Sequence, residues 1–210
     1  MFIRILPSGP FATNAYVLGC QSTKEAVIVD PGVSSVKSIL STIKDEALLP
    51  KKILLTHSHW DHIGDVAVLQ KQLNIPVYIH EKDAPNLISP GSDLLPMTTY
   101  IQGTNPDGYF DEGDEIWVGL IKFIVIHTPG HTPGSVCFYS EDEKILISGD
   151  TLFKGSIGNL SFPTSQPDLM WTSLKKLEKL PAETKVYPGH GPFTTIGKES
   201  WLPRAQDLFS

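Results

Sequence analysis

Apolar and polar positions follow two rhythms along this chain. Short apolar runs at 2–6, 15–18, 26–29, 53–55 and 77–79, each bounded by turn or charged residues, predict strands. Between them the spacing lengthens to helical. Val36, Ile39, Leu40, Ile43 and Ala47 predict a helix over 34–49; Ile63, Val66, Ala67, Leu69 and Leu73 predict another over 63–73. Further strands follow at 109–110, 115–118, 121–126, 136–139 and 144–147. A helix over 168–180 carries Leu169, Trp171, Leu174, Leu177 and Leu180 on one side and is punctuated by Pro167-Asp168 and Pro181. A last strand at 185–187 precedes a short helix and tail. Each half runs strands and then helix, so the pattern predicts an α/β fold of two halves packed sheet to sheet with helices outside.

Residues 86–108 break the rhythm. They hold Pro90-Gly91, Pro96, Gly103 and Asn105-Pro106-Asp107-Gly108, interleaved with Leu94, Leu95, Met97 and Tyr100. So long a loop is read either as a flap over a site or as a surface loop packed by its own apolar residues.

Composition narrows the class. The 210 residues suffice for one domain, 1–210, with a layered core. With 40% hydrophobic and 19% charged residues the chain reads as soluble, and no apolar run approaches the roughly 18 residues of a membrane span. A net charge of −6 argues against a nucleic-acid partner. Met1 to Pro7 reads as a first strand rather than an export signal. Cys20 and Cys137 are then expected as two reduced thiols in a cytoplasmic protein. The oligomeric state is not legible.

The chemistry concentrates at Thr56-His57-Ser58-His59-Trp60-Asp61-His62, between an apolar strand and an amphipathic helix. Three of the chain's seven histidines stand there with a carboxylate. Imidazole is the commonest ligand for borderline metals, and carboxylate supplies the negative charge that a divalent cation needs. In an extended turn His57 and His59 point the same way. Asp61 and His62, at the helix start, then face a second point, and one divided cluster suits two metals. The plainer reading makes Asp61 a helix N-cap, which leaves the three histidines unexplained. Other metal-type residues stand at strand ends in glycine- and proline-rich turns: His131, Asp150 and His190. Asp30, ending the strand at 26–29, is either a turn former or a partner that orients a ligand histidine. His80 is expected at the surface, and His127 at a strand end beneath the site.

The series His57-x-His59-x-Asp61-His62, His131, Asp150, His190 resembles, in order, the ligand series of the metallo-β-lactamase superfamily. Its four-layer αββα sandwich agrees with the two-half layout. Within that superfamily the chain most resembles the glyoxalase II (hydroxyacylglutathione hydrolase) group in its short form. The likeness lies in Asp30-Pro31-Gly32, residues 127–134, residues 149–158 and Pro188-Gly189-His190-Gly191-Pro192. The resemblance implies His57, His59 and His131 on one metal, Asp61, His62 and His190 on the other, and Asp150 bridging them. The ions would be divalent, zinc first, with iron or manganese as alternatives.

Two departures stand out. Where short members of the group carry Arg, a small residue and Asp after the glycine, this chain has Asn159, Leu160 and Ser161, and both charges are missing together. The helical domain that supplies much of the glutathione site in long members has no counterpart in the residues after His190. The expected reaction is hydrolysis of a small thioester of the S-lactoylglutathione type by a water shared between the two ions, with Asp61 as the catalytic carboxylate that aims it. A thiolate leaves without a strong general acid. The rival is a persulfide dioxygenase using a single iron on His57, His131 and Asp150. Hydrolysis of a β-lactam or a lactone, nuclease action and a purely binding role have less in the sequence to support them.

Overall fold

The computed structural model describes all 210 residues. The first sheet is built from β1 (Phe2–Ser8), β2 (Thr13–Gly19), β3 (Glu25–Val29), β4 (Leu49–Leu54), β5 (Val77–Ile79) and β6 (Gly108–Tyr109), adjacent in that order. β1 to β3 pair antiparallel; β3 to β6 run parallel. The second sheet contains β7 (Glu115–Val118), β8 (Ile121–His127), β9 (Val136–Ser140), β10 (Ile145–Gly149), β11 (Lys185–Pro188) and β12 (Thr194–Thr195). All its neighbours are antiparallel except β10 and β11.

The period-2 alternation of side chains sorts the central strands between two buried faces. In β2, Tyr16 and Leu18 point to the space between the sheets, while Ala15 and Val17 point outward. β3 does the same with Val27 and Val29 against Ala26 and Ile28. In β10, Ile145 and Ile147 face inward and Leu146 outward. A strand that is apolar at every position is therefore covered on both faces. Outside the first sheet lie α1 (Val36–Asp45), α3 (Val66–Leu73) and α4 (Ala84–Ile88), contributing Ile39, Ile43, Leu69 and Leu87 to one outer core. Outside the second lie α5 (Pro167–Glu178) and α6 (Ala205–Phe209), contributing Met170, Trp171, Leu174, Leu177 and Ala205 to another. The architecture is the four-layer αββα sandwich. None of its helices is long and apolar enough to cross a membrane.

Several boundaries differ from the sequence pattern. The helix predicted over 34–49 stops at Asp45, because Ala47 takes a left-handed conformation (φ 51°) and Leu49 opens β4. The helix expected over 63–73 is two: α2 (Trp60–Ile63) and α3, separated by Gly64-Asp65. The strand expected at 109–110 belongs to the first sheet, where Gly108 and Tyr109 pair with Tyr78 and Ile79. Residues 84–88, on the edge of the long loop, are the helix α4, and β12 was not predicted. Within the loop, Leu95 packs against the first outer core, whereas Leu94 and Tyr100 are exposed. Cys20 and Cys137 are free thiols in different cores.

Candidate metal centre

Every candidate ligand stands just past the end of a strand or on α2, along one edge of the sandwich. β4 delivers His57 and His59, and α2 carries Asp61 and His62. His131 lies between β8 and β9, Asp150 directly after β10, and His190 just beyond β11. Asp61 does not cap α2: the N-cap residue is His59, and Asp61 sits in the first turn.

The side chains form two groups. His57, His59 and His131 place one ligand atom each within 4.8 Å of one another, and so do Asp61, His62 and His190. Asp150 stands between the groups. Its Oδ1 is 3.4 Å from His62 Nε2, while Oδ2 is 3.5 Å from both His131 Nε2 and His190 Nε2.

The hydrogen bonds around the rings fix which nitrogen faces inward. His57 Nδ1 lies 3.0 Å from Thr56 Oγ1, whose own proton goes to Asp30 Oδ2 at 2.6 Å, so the imidazole is the donor there. His62 Nδ1 donates to Asp30 Oδ2 (3.1 Å), His131 Nδ1 to the Asn159 carbonyl (2.8 Å) and His190 Nδ1 to the Phe11 carbonyl (3.1 Å). In all four residues Nε2 thereby points into the site, as a lone pair in the neutral rings of His57 and His131. His62 Nε2 and His190 Nε2 face each other at 3.3 Å, with Asp61 Oδ2 3.5 and 3.3 Å away. Nε2 of His57, His59 and His131 and Oδ1 of Asp150 are buried without a hydrogen-bond partner. Buried acceptors without donors are costly. A lone-pair cluster with carboxylates beside it is what a cation satisfies, so the residues present fit a pair of divalent ions.

Asp30 resolves the choice posed by its position: it is both a turn residue, at φ 47°, and the acceptor that orients His62. Its other oxygen accepts from Thr56 N at 2.7 Å.

Burial holds the imidazoles of His57, His59 and His131 neutral, with His59 lowered to about 3. Burial also lowers His190, but the carboxylates of Asp150 and Asp61 outweigh it and raise the ring to about 10. For Asp61, burial pushes the carboxyl up. His62, His190 and the Thr13 hydroxyl, which donates to Oδ2 at 2.6 Å, together hold it well below the usual range. Asp150 is held at about 2, burial again being outweighed by His62, His190 and His131.

Two positions require glycine. A Cβ at Gly189 would collide with the Asp150 carboxylate and the His62 ring, and one at Gly158 with the Asp150 carbonyl and the His131 ring. Both are places where backbone passes directly against ligand side chains.

The spacing of histidines and aspartates did not announce several supporting residues. Thr13 reaches Asp61 from β2. Asp83, fully buried, accepts from Ser58 N (2.9 Å), Thr132 Oγ1 (2.8 Å) and Gly134 N (2.6 Å), tying the loop of His57 and His59 to the loop of His131. The available signal was its place just after an apolar strand, the same arrangement that delivers the other site residues. His80 is not at the surface. It is 4% exposed, its ring stacked on His127 at 4.2 Å and 12°. With Asp111 these two form another His/Asp group, but near-parallel rings cannot both aim their in-plane lone pairs at one ion.

Above the ligands opens a cleft of about 300 Å³, walled by Phe11, Trp60, Leu95, Phe153, Asn159 and Phe162. The loop over 86–108 thus lends the site one residue, Leu95.

A family model for the metallo-β-lactamase superfamily matches residues 8–190, and the chain belongs to that superfamily of metal-binding hydrolases. Among curated relatives, it is 39% identical to the probable metallo-hydrolase YqgX of Bacillus subtilis over 92% of each chain. It is 32% identical to the hydroxyacylglutathione hydrolase GloC of Haemophilus influenzae over 95% of each. Among solved structures, the BLEG-1 B3 metallo-β-lactamase superposes with a TM-score of 0.88 at 39% identity, covering 100% of both chains. TTHA1623 in a di-iron-bound form gives 0.81 at 38%, covering 95% of this chain and 97% of the other. ETHE1 from Myxococcus xanthus gives 0.79 at 27%, covering 99% and 85%.

Proposed function

We propose that the protein is a binuclear metal-dependent thioester hydrolase. His57, His59 and His131 would hold one ion and Asp61, His62 and His190 the other, with Asp150 shared. Two divalent ions so held supply a water of lowered pKa and a Lewis acid for the substrate carbonyl. Asp61, kept ionised by Thr13 and His62, accepts a hydrogen bond from the attacking water and aims it. Its carboxyl is too acidic to keep a proton at neutral pH, so it orients rather than serves as the proton's resting place. Trp60, Phe153 and Phe162 exclude bulk water from the reacting carbonyl.

One observation carries the choice of substrate. Apart from the ligand set, the cleft wall contains no ionisable side chain, hence no general acid. A leaving group that departs without needing a proton suits such a site, and a thiolate is one. The likeness to GloC supports the same reading, and the di-iron form of TTHA1623 supports two ions of a metal other than zinc as an alternative loading. The likeness to the BLEG-1 enzyme favours a second reading, β-lactam hydrolysis, in which the departing nitrogen must be protonated by solvent.

The test is metal content per chain on protein purified without added metal. Thioester turnover, β-lactam turnover and persulfide-dependent oxygen uptake are followed on the same sample. About two ions with thioester cleavage is expected. One iron with oxygen uptake, or β-lactam cleavage without thioester cleavage, would overturn the proposal.

A further inference from the structure

We propose, building on the thioester reading, that the cleft selects uncharged, apolar thioesters and turns away those bearing carboxylates. The wall is arranged in two aromatic parts. Phe162 stands edge-on to His59 (5.4 Å, 85°) and 5.7 Å from His131, beside the first ligand group. Phe153 stands edge-on to His190 (6.1 Å, 82°), beside the second. Phe11, 57% exposed, leans on Trp60 at 5.4 Å, and Leu95 completes the rim. A thioester whose carbonyl lies over the ligands therefore meets apolar surface beside both groups.

Charge is missing where an anionic substrate would need it. No lysine or arginine lines the cleft. Asn159 has its acceptors committed, Oδ1 to Ser161 N at 2.7 Å and the backbone carbonyl to His131, and its amide carries no charge. Beyond His59 lies a second, polar pocket of about 130 Å³ where Lys82 is the one cation, and Asp83 and Asp93 line the same pocket. The chain as a whole carries −6. A carboxylate entering the cleft would lose water and gain no cationic side chain as a partner, which is costly. If it turned to the metal centre instead, it would take the place of the reacting carbonyl and inhibit.

The experiment uses paired compounds sharing one neutral thiol, N-acetylcysteamine, with a six-carbon acyl chain ending in methyl or in carboxylate. Metal-loaded protein should cleave the methyl-ended thioester with kcat/KM at least about tenfold higher, the scale set by apolar pocket contacts. Non-hydrolysable thioethers of the same pair, titrated calorimetrically, should bind with the same order of preference. Phe162→Ala and Leu95→Ala, both at half-buried positions, should shrink the preference about tenfold at unchanged metal content. Equal or tighter binding of the carboxylate-ended thioether would overturn the inference. Selective binding of the neutral thioether with no thioester cleaved would instead sink the thioester reading and leave the cleft's preference standing.

Discussion

The Asp30 carboxylate lies 3.1 Å from His62 Nδ1, across 32 positions of chain, and the same carboxylate accepts both the amide and the hydroxyl of Thr56. Through Thr56 it also reaches His57. One residue at the end of β3 thus sets ring orientation in both ligand groups. Asp30→Asn should weaken metal binding about 10- to 100-fold, the usual effect of removing such a partner. Competition against a chromophoric chelator measures it, and wild-type affinity in the variant would refute the orienting role.

His59→Ala should lose metal and activity together. His80→Ala should keep full metal content, because His80 stands outside both ligand groups. Being buried, it should still lower stability, by about 1–3 kcal/mol. Metal analysis and thermal melts on the pair separate the two effects. A His59→Ala protein with full metal content would show the ligand assignment to be wrong.

Much of this was written in local pattern. Period-2 runs and helical spacing placed nearly all the central strands and the long helices, and the histidine cluster marked the edge of the sandwich where the site lies. What local pattern could not carry was partnership at a distance. The role of Asp83 depends on Ser58, Thr132 and Gly134 meeting it in space. The burial of His80 depends on His127 arriving from the other sheet. The break between α2 and α3 falls at Asp65 (φ −111°, ψ 8°), whose N–H goes to the Pro31 carbonyl and whose carboxylate accepts from Val36 N, both distant in sequence. Tyr109 joined the first sheet because a parallel edge beside β5 was open, a choice no short window contains.

Gly189→Ala should damage the site from the backbone side. The added methyl meets the Asp150 carboxylate and the His62 ring, and the ring is held in place by Asp30. A loss of about 1–3 kcal/mol in stability is expected, typical of overpacking, together with weakened metal binding. Urea melts of the metal-free protein and chelator competition test the two parts. A variant indistinguishable from wild type in both would show that the loop yields.

Burial and the neighbouring His127 lower the pKa of His80 from 6.5, while Asp111 opposes them. As pH falls through 6.5 the unfolded chain takes up a proton at this residue that the native protein refuses. Stability is therefore lost on acidification. His80→Asn keeps an acceptor for Lys82 N and removes the titration. Melts from pH 8 to 5 should show wild type losing stability more steeply than the variant. Parallel curves would show that His80 protonates as readily in the folded state as in the unfolded.

The Asp83 clasp bears on how fast an ion can come and go. Because a single buried carboxylate joins the loop of His57 and His59 to that of His131, the two loops that carry the three imidazoles cannot separate independently. An ion leaving that group must wait for a concerted opening in which Asp83 releases Ser58, Thr132 and Gly134 together. Exchange at the His57 group should accordingly lag behind exchange at the His190 group, whose outermost ligand is partly open to solvent. In a cell where metals compete, the first ion to enter the clasped group would largely decide which metal the protein keeps.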